Sequence, residues 1–237
     1  MLIDKKNFWE KKIIGWEDIR YNRKLSELNF FEKLINKTNN TLIFRLNTAL
    51  KILEPLIKNK KVVEVGCGSG LIASEIIKAG ASSYIGYDIS EKAIERAIKL
   101  SKDNNSEHKT SFYAKPVMDM PEIEADYIFS LGLTDWLDDK EIEHLFKISK
   151  NCENLHSISE DNNSISQMLH KMYVFLSYGK NSKGYAPRYL KVEKISKLLN
   201  EYTDKQIYNF RHENMSFGLF ISTFQINNQD LLDLQNE

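Results

Sequence analysis

Two cysteines, Cys67 and Cys152, occur in 237 residues, so no disulfide framework can staple this fold, and the expected compartment is a reducing one. Four prolines and ten glycines are too few for a collagen-like or Pro/Gly-rich disordered chain. No stretch approaches the ~18 uninterrupted apolar residues of a membrane span. An excess of either charge is also missing, since 33 Lys and Arg balance 33 Asp and Glu. Chains that live on phosphate backbones normally carry a basic surplus. Met1–Glu10 holds Asp4, Lys5, Lys6 and Glu10 with no apolar run behind them, which is not the pattern of a secretory leader. These absences predict a cytoplasmic protein with no membrane and no nucleic-acid partner. A homodimer is compatible with them.

What is present is ordinary globular material, 42% hydrophobic and 28% charged, enough for one domain or a tight pair at ~150 residues each. Charge is unevenly spread. Residues 1–60 carry 13 basic and 7 acidic side chains, residues 61–150 carry 11 and 16, and residues 151–237 carry 9 and 10. Either these are complementary surfaces of one folded body, or a basic N-terminal cap faces an anionic substrate.

Residues 1–60 read as helices. Ile43, Leu46, Leu50, Leu53 and Leu56 or Ile57 recur at three- and four-residue steps, and Pro55 ends or kinks that helix. From Lys61 the period changes. Short β-branched or aromatic runs (Val62–Val65, Tyr84–Tyr87, Ser111–Ala114, Tyr127–Leu131 and a weaker Asn154–Ile158) alternate with helical stretches. Ser90 caps one of these helices, and Asp138 with Glu141 forms a capping box for another. Such alternation implies an α/β fold with a doubly wound, mostly parallel sheet. At the end, Gln206–Phe210 and Phe217–Phe224 follow one another without a helix between, which makes a C-terminal antiparallel hairpin and brings the sheet to seven strands.

The chemistry is concentrated at Glu64-Val65-Gly66-Cys67-Gly68-Ser69-Gly70, between a strand and a helix. Glycines there permit a sharp turn and close approach of backbone to a ligand, and the helix start adds free N–H donors. The spacing is G-x-G-x-G, not the dinucleotide G-x-G-x-x-G, and the loop lacks the Gly-Lys-Ser/Thr of a phosphate loop. Asp88 ends the next strand, where a carboxylate can accept bonds from both hydroxyls of a ribose.

At these residues the sequence resembles the class I S-adenosylmethionine-dependent methyltransferase family of small-molecule type. The resemblance rests on E-x-G-x-G-x-G at Glu64–Gly70, on Tyr84–Asp88, on the strand at Asp126–Leu131 and on the terminal hairpin, and it covers about residues 60–225. It implies a Rossmann-like seven-stranded fold with an N-terminal helical cap at 1–59. Residues 60–237 then form the methyltransferase domain, with a substrate-lid insertion at about 160–190, all in one structural unit. It further implies S-adenosyl-L-methionine as cofactor. Glu64, Gly66 and Gly68 would lie at its methionine end, Asp88 at its ribose, Ile89 and Met118 at its adenine, and Leu131 near the methionine moiety.

No Asn/Asp-Pro-Pro-aromatic run follows the fourth strand, which instead continues Ser130-Leu131-Gly132-Leu133. This favours a small-molecule acceptor over base or glutamine amines. Trp16 and Tyr21 of the cap, and Tyr185 and Arg188 of the insertion, are the candidate acceptor-binding residues; Arg188 suits an anionic group and Tyr185 a sulfonium. The stretch Gly184–Tyr189 resembles an element of small-molecule methyltransferases, including porphyrin-type ones. Transfer to oxygen needs a base, and His156 and Glu160, near the end of the fifth strand, are the candidates. No metal-ligand spacing is apparent. The expected activity is O-methylation of an anionic or sugar-like metabolite. An aminopropyl transferase on the same fold and a non-catalytic cofactor-binding module are the alternatives.

Overall fold

The computed structural model of the protein describes residues 4–21, 43–162, 167–168, 171–172, 185–215 and 217–226, with only the backbone described at 16, 19–21 and 213. The elements in chain order are helix α1 (Lys5–Tyr21), helix α2 (residues 43–53), β1 (Lys61–Val65), α3 (Ala73–Lys78), β2 (Ser83–Asp88), α4 (Glu91–Asp103), β3 (Thr110–Ala114), β4 (Tyr127–Leu131), α5 (Asp139–Ile148), β5 (Glu153–Ser159), α6 (Val192–Asn200), β6 (Tyr208–Arg211) and β7 (Gly218–Ser222). The seven strands form one sheet in the order β3-β2-β1-β4-β5-β7-β6. β7 alone runs antiparallel to both of its neighbours, β5 and β6, and β1 to β5 pair in parallel. The Rossmann-like expectation holds, hairpin included.

Side chains alternate across the sheet with period two. Val62, Tyr84, Phe129, Leu155 and Phe220 pack against Leu53, Ile72 and Ile76 on one face. Val63, Val65, Ile128, Ile158 and Ile221 pack against Ile142, Phe146 and Leu199 on the other. Each such side chain contributes about 1.5–3 kcal/mol by leaving water. This is why the parallel strands read as apolar runs covered on both faces. β5 is the exception: it is the longest strand, at seven residues, although Asn154, His156 and Ser157 gave it a polar appearance. Those three are all buried and take part in internal bonds or in the sheet ladder.

The helix boundaries follow local chemistry. Ser90 Oγ accepts the Ala93 N–H at 3.2 Å and starts α4. Asp138 and Glu141 close the expected capping box on α5, at 3.0 and 2.7 Å. α2 stops before Pro55. The segment assigned to the cap is not uniform: Ala49, Ile52, Leu53 and Ile57 belong to the core beneath the sheet, whereas α1 lies over the loops. Ile43, expected on the buried face, is 38% exposed. Asn40 and Thr41, and most of the 160–190 insertion, fall outside the described residues. Among the described residues, no helix is long and apolar enough to cross a membrane.

Candidate active site

The chain leaves β1 for β2 and β3 on one side, then returns to β4 on the other side of β1. The loops after β1 and β4 therefore diverge, opening a crevice at the carboxyl ends of the strands, the usual ligand position in such sheets. The loop after β1 carries Gly66, Gly68 and Gly70 at φ +75°, +52° and +66°, a region that other residues rarely adopt. A Cβ at 66 would stand 3.0 Å from Leu133 Cβ, on the loop after β4. The two loops thus meet at the switch point.

Every N–H from 66 to 70 has a partner. Gly66 and Cys67 donate to Tyr87 O at 2.7 and 3.0 Å, and Gly70 donates to Cys67 O at 2.8 Å. Gly68 donates to Asp88 Oδ2 at 3.0 Å. Ser69 donates to Glu17 Oε1 at 2.9 Å, and its hydroxyl donates to Glu17 Oε2. Asp88 also accepts the Ser90 N–H at 2.9 Å. Its buried carboxyl is pushed above the ordinary value by desolvation, against the bonds from Ser90 and Gly68.

Glu64 extends from β1 beneath the loop and accepts the Tyr84 hydroxyl. Burial pushes its carboxyl up to about 8, and the Asp88 and Glu17 charges add to the rise. Glu17 is raised chiefly by burial as well. Burial also drives the Cys67 thiol upward, which leaves it inert as a nucleophile. The loop is therefore ringed by three buried carboxyls, a setting that suits a cationic ligand. The flanks carry the other expected cofactor residues. Ile89 is half-buried after Asp88, Leu131 is partly buried at the end of β4, and Met118 is 49% exposed in the turn after β3. Tyr87, in β2, and Tyr113, in β3, stack at 5.4 Å.

The two expected bases sit elsewhere. His156 is 1% exposed, mid-strand in β5. One ring nitrogen faces Ser130 Oγ at 2.9 Å, the other faces Asn154 Oδ1 at 3.1 Å, and the ring packs on Phe146. Burial pushes it down to about 3, so it is a neutral core histidine. Glu160 lies just past the end of β5, but it forms a two-pronged pair with Arg211 at 2.7 and 2.9 Å that holds it below the usual range. Neither geometry frees a proton acceptor.

Of the acceptor candidates, Trp16 and Tyr21 lie in α1, their side chains outside the described residues. The Tyr185 ring packs 5.1 Å from Phe8 and 5.2 Å from Trp136. Its hydroxyl accepts Trp9 Nε1 at 3.1 Å and donates to Trp136 O at 3.2 Å. Tyr185 therefore ties α1 to the turn before α5 and is not presented to a sulfonium. Arg188 is likewise committed, donating to Leu137 O at 2.6 Å and pairing with Asp139.

The structure adds residues that sequence reading missed. Asp135, which reads as part of a helix cap with Asp138 and Asp139, is instead buried and accepts the Ser159 N–H and hydroxyl at 2.8 and 2.7 Å. Burial pushes it up to about 6, opposed first by the nearby Arg45 charge. Arg45 is buried at the start of α2 and fills space that a Cβ at Gly218 would take. Only Asp135 had a signal, its position just past β4. Arg45 and Glu17 reach the site from remote helices.

Comparisons with known proteins agree with this geometry. The profile described as "Methyltransferase domain" matches residues 56–209. Ribosomal protein L11 methyltransferase of Alteromonas mediterranea is 35% identical over 71 residues, 30% of this chain and 24% of that protein. The chain thus spans about a quarter of the length of the curated relatives it first matches. Among solved structures, magnesium protoporphyrin IX methyltransferase from Synechocystis PCC 6803 with bound S-adenosylhomocysteine superposes with a TM-score of 0.64 at 15% identity, over 92% of this chain and 96% of that one. An S-adenosylmethionine-dependent methyltransferase from Mesorhizobium loti gives 0.58 at 17%, over 75% and 96%.

Proposed function

This chain belongs to the methyltransferase-domain family as a class I S-adenosylmethionine-dependent enzyme, and on that premise we propose that it methylates a small molecule, on oxygen, with an anionic or sugar-like acceptor. The observation that carries this reading is the roof over the crevice. Lys5 of α1 pairs with Glu141 at 2.5 Å and Asp138 at 3.2 Å on the α5 side. Glu10 accepts Ser90 Oγ at 2.8 Å, and Asp18 pairs with Arg96 at 2.8 Å, both on the α4 side. A helix anchored on both banks leaves a small acceptor far better accommodated than a folded protein or a nucleic acid.

The residues present fit the cofactor. Left-handed backbone at Gly66, Gly68 and Gly70 fixes the turn, and the space a Cβ would take at 68 is held by the Glu17 carboxylate, a group that a ligand carboxylate can replace. Gly66, Gly68 and Ser69 would lie along the methionine end and Asp88 at the ribose, with Ile89 and Met118 beside the adenine. When bound, S-adenosylmethionine supplies a methyl group already activated on a sulfonium. The chain's task is then positioning and exclusion of water. The buried Asp88 carboxylate opposes the cationic charge, while Glu64, which keeps its proton up to about pH 8, accepts the Tyr84 hydroxyl beneath it.

For the acceptor, Arg45, 3.5 Å from Ser159 Oγ at the end of β5, takes the role first given to Arg188. Asp135 would act as base by exchanging its Ser159 hydroxyl bond for the acceptor's own hydroxyl, with a value of about 6 that suits the role. It replaces His156 as the candidate base. The test is transfer of labelled methyl from S-adenosylmethionine to panels of hydroxy acids, carboxylates and sugars, beside ribosomal protein and RNA. Turnover confined to small hydroxyl or carboxyl acceptors supports the reading, and turnover only on a macromolecule overturns it.

A further inference from the structure

The five N–H groups at 66–70 divide unevenly. Four are held by the strand and loop framework itself, through Tyr87 O, Asp88 and Cys67 O. The Ser69 N–H, with the Ser69 hydroxyl, is held by Glu17, 52 residues upstream on α1. The contact is close enough that a Cβ at residue 68 would collide with Glu17 Oε1. Ser69 and Glu17 are 0% and 4% exposed. Thus one side-chain carboxylate presses on the concave side of the loop, where the missing Cβ lets a ligand approach. It takes the one pair of donors that the framework does not use.

We propose that Glu17 is a self-occupying latch: its carboxylate holds the Ser69 donors that the cofactor's own α-carboxylate takes, so cofactor binding and closure of α1 over the loop exclude each other at this point. The inference rests on the S-adenosylmethionine reading above. A side-chain carboxylate and an amino-acid α-carboxylate are the same chemical group, and two anions cannot share one N–H and one O–H donor. The attachments of α1 suit a part that lifts. Among its described side chains only Ile13 and Glu17 are buried. Lys6–Glu91 is a pair of exposed groups, and Lys5–Asp138 and Asp18–Arg96 each have one exposed partner, while the more sheltered Lys5–Glu141 and Glu10–Ser90 contacts lie toward the near end. The exposed pairs hold weakly. The firmer contact is the aromatic cluster of Phe8 and Trp9 with Trp136 and Tyr185, at the opposite end of α1 from Glu17. Release of Glu17 frees the far end while that cluster keeps the near end in place. The cofactor then enters first, with only the Glu17 end of α1 displaced and the Lys5 and aromatic contacts still holding the roof over the acceptor crevice.

Calorimetric titration of wild type and Glu17→Gln with S-adenosylhomocysteine and with 5′-methylthioadenosine, which lacks the amino-acid end, tests this. The expected result is about tenfold tighter S-adenosylhomocysteine binding to Glu17→Gln, since charge-assisted bonds no longer compete, with methylthioadenosine unchanged. Weaker or equal S-adenosylhomocysteine binding overturns the latch; the weaker case would make Glu17 a partner of the cofactor's ammonium. Amide exchange of wild type needs no variant. Saturating S-adenosylhomocysteine is expected to speed exchange at the Glu17 end, residues 13–21, and equal or slower exchange there overturns the proposal. Absence of any S-adenosylhomocysteine binding to wild type and variant alike overturns the cofactor reading, and the latch with it.

Discussion

Asp88 Oδ2 accepts the Gly68 N–H at 3.0 Å, so the carboxylate that ends β2 holds the loop that leaves β1. The bond spans 20 residues and makes one acidic side chain serve two ends. It fixes the glycine turn, and it still offers lone pairs toward the crevice. The same residue accepts the Ser90 N–H, which couples the start of α4 to the loop.

Asp88→Ala is therefore expected to do more than remove a ribose contact. Cofactor affinity should fall about 10–100-fold, and stability by about 1–3 kcal/mol as two N–H groups lose their acceptor. Titration calorimetry and thermal melts measure the two effects separately. Unchanged affinity in the folded variant would remove Asp88 from the cofactor site.

Glu64 sets a pH dependence. Its carboxyl titrates at about 8 in the fold against 4.5 ordinarily. Between those values the folded chain keeps a proton that the unfolded chain has released, so stability falls as pH rises through the window. Glu64→Gln cannot titrate, and its amide oxygen still accepts the Tyr84 hydroxyl. Its stability relative to wild type should improve from pH 5 to pH 8, by about 1–3 kcal/mol at the upper end. Paired thermal melts at pH 5, 6.5 and 8 check this, and a constant difference would refute it.

His156 is expected to behave as core. With its value near 3 in the fold and 6.5 as the ordinary one, the unfolded chain binds the extra proton between them, so this group costs stability as pH falls below 6.5. His156→Ala should lose about 2–4 kcal/mol, from lost packing and bonds. Cofactor affinity, measured well below the melting point, should stay within about twofold. A normal melting curve with abolished turnover would restore a catalytic role.

Arg45 and Asp135 should act together. Arg45→Met removes the charge that lowers Asp135, so the acid limb of the kcat/KM profile should move above pH 6 and the acceptor KM should rise. Cofactor affinity should be little changed. A pH–rate profile with the best acceptor found is the measurement, and an unmoved limb with an unmoved KM would place both residues outside the acceptor site.

The part of the site where we place the cofactor was legible because its residues are close in sequence. Glu64, Gly66, Gly68 and Gly70 share one strand–loop–helix, and Asp88 ends the next strand, so spacing alone brings them together. The acceptor half was not legible. Tyr185 and Arg188 have side chains suited to a ligand, yet Tyr185 bonds Trp9 and Trp136, and Arg188 bonds Leu137 and Asp139. Composition gives no sign of those partners. His156 misled for the opposite reason: its strand was placed correctly, but its buried partners Ser130 and Asn154 are visible only after the strands pair.

The sequence by itself determined the architecture and the glycine loop. Alternation with period two, caps at Ser90 and Asp138, and glycines that must take positive φ are local properties, and local sterics and hydrogen bonding decide them. Tertiary structure alone decided which ionisable groups are available. Whether Glu17 rests on Ser69, whether Asp135 is buried beside Arg45, and whether His156 meets water depend on contacts between elements 24 to 114 residues apart. Burial and charge proximity act through space, so the chemistry of these groups is set by the packed fold and not by their order along the chain.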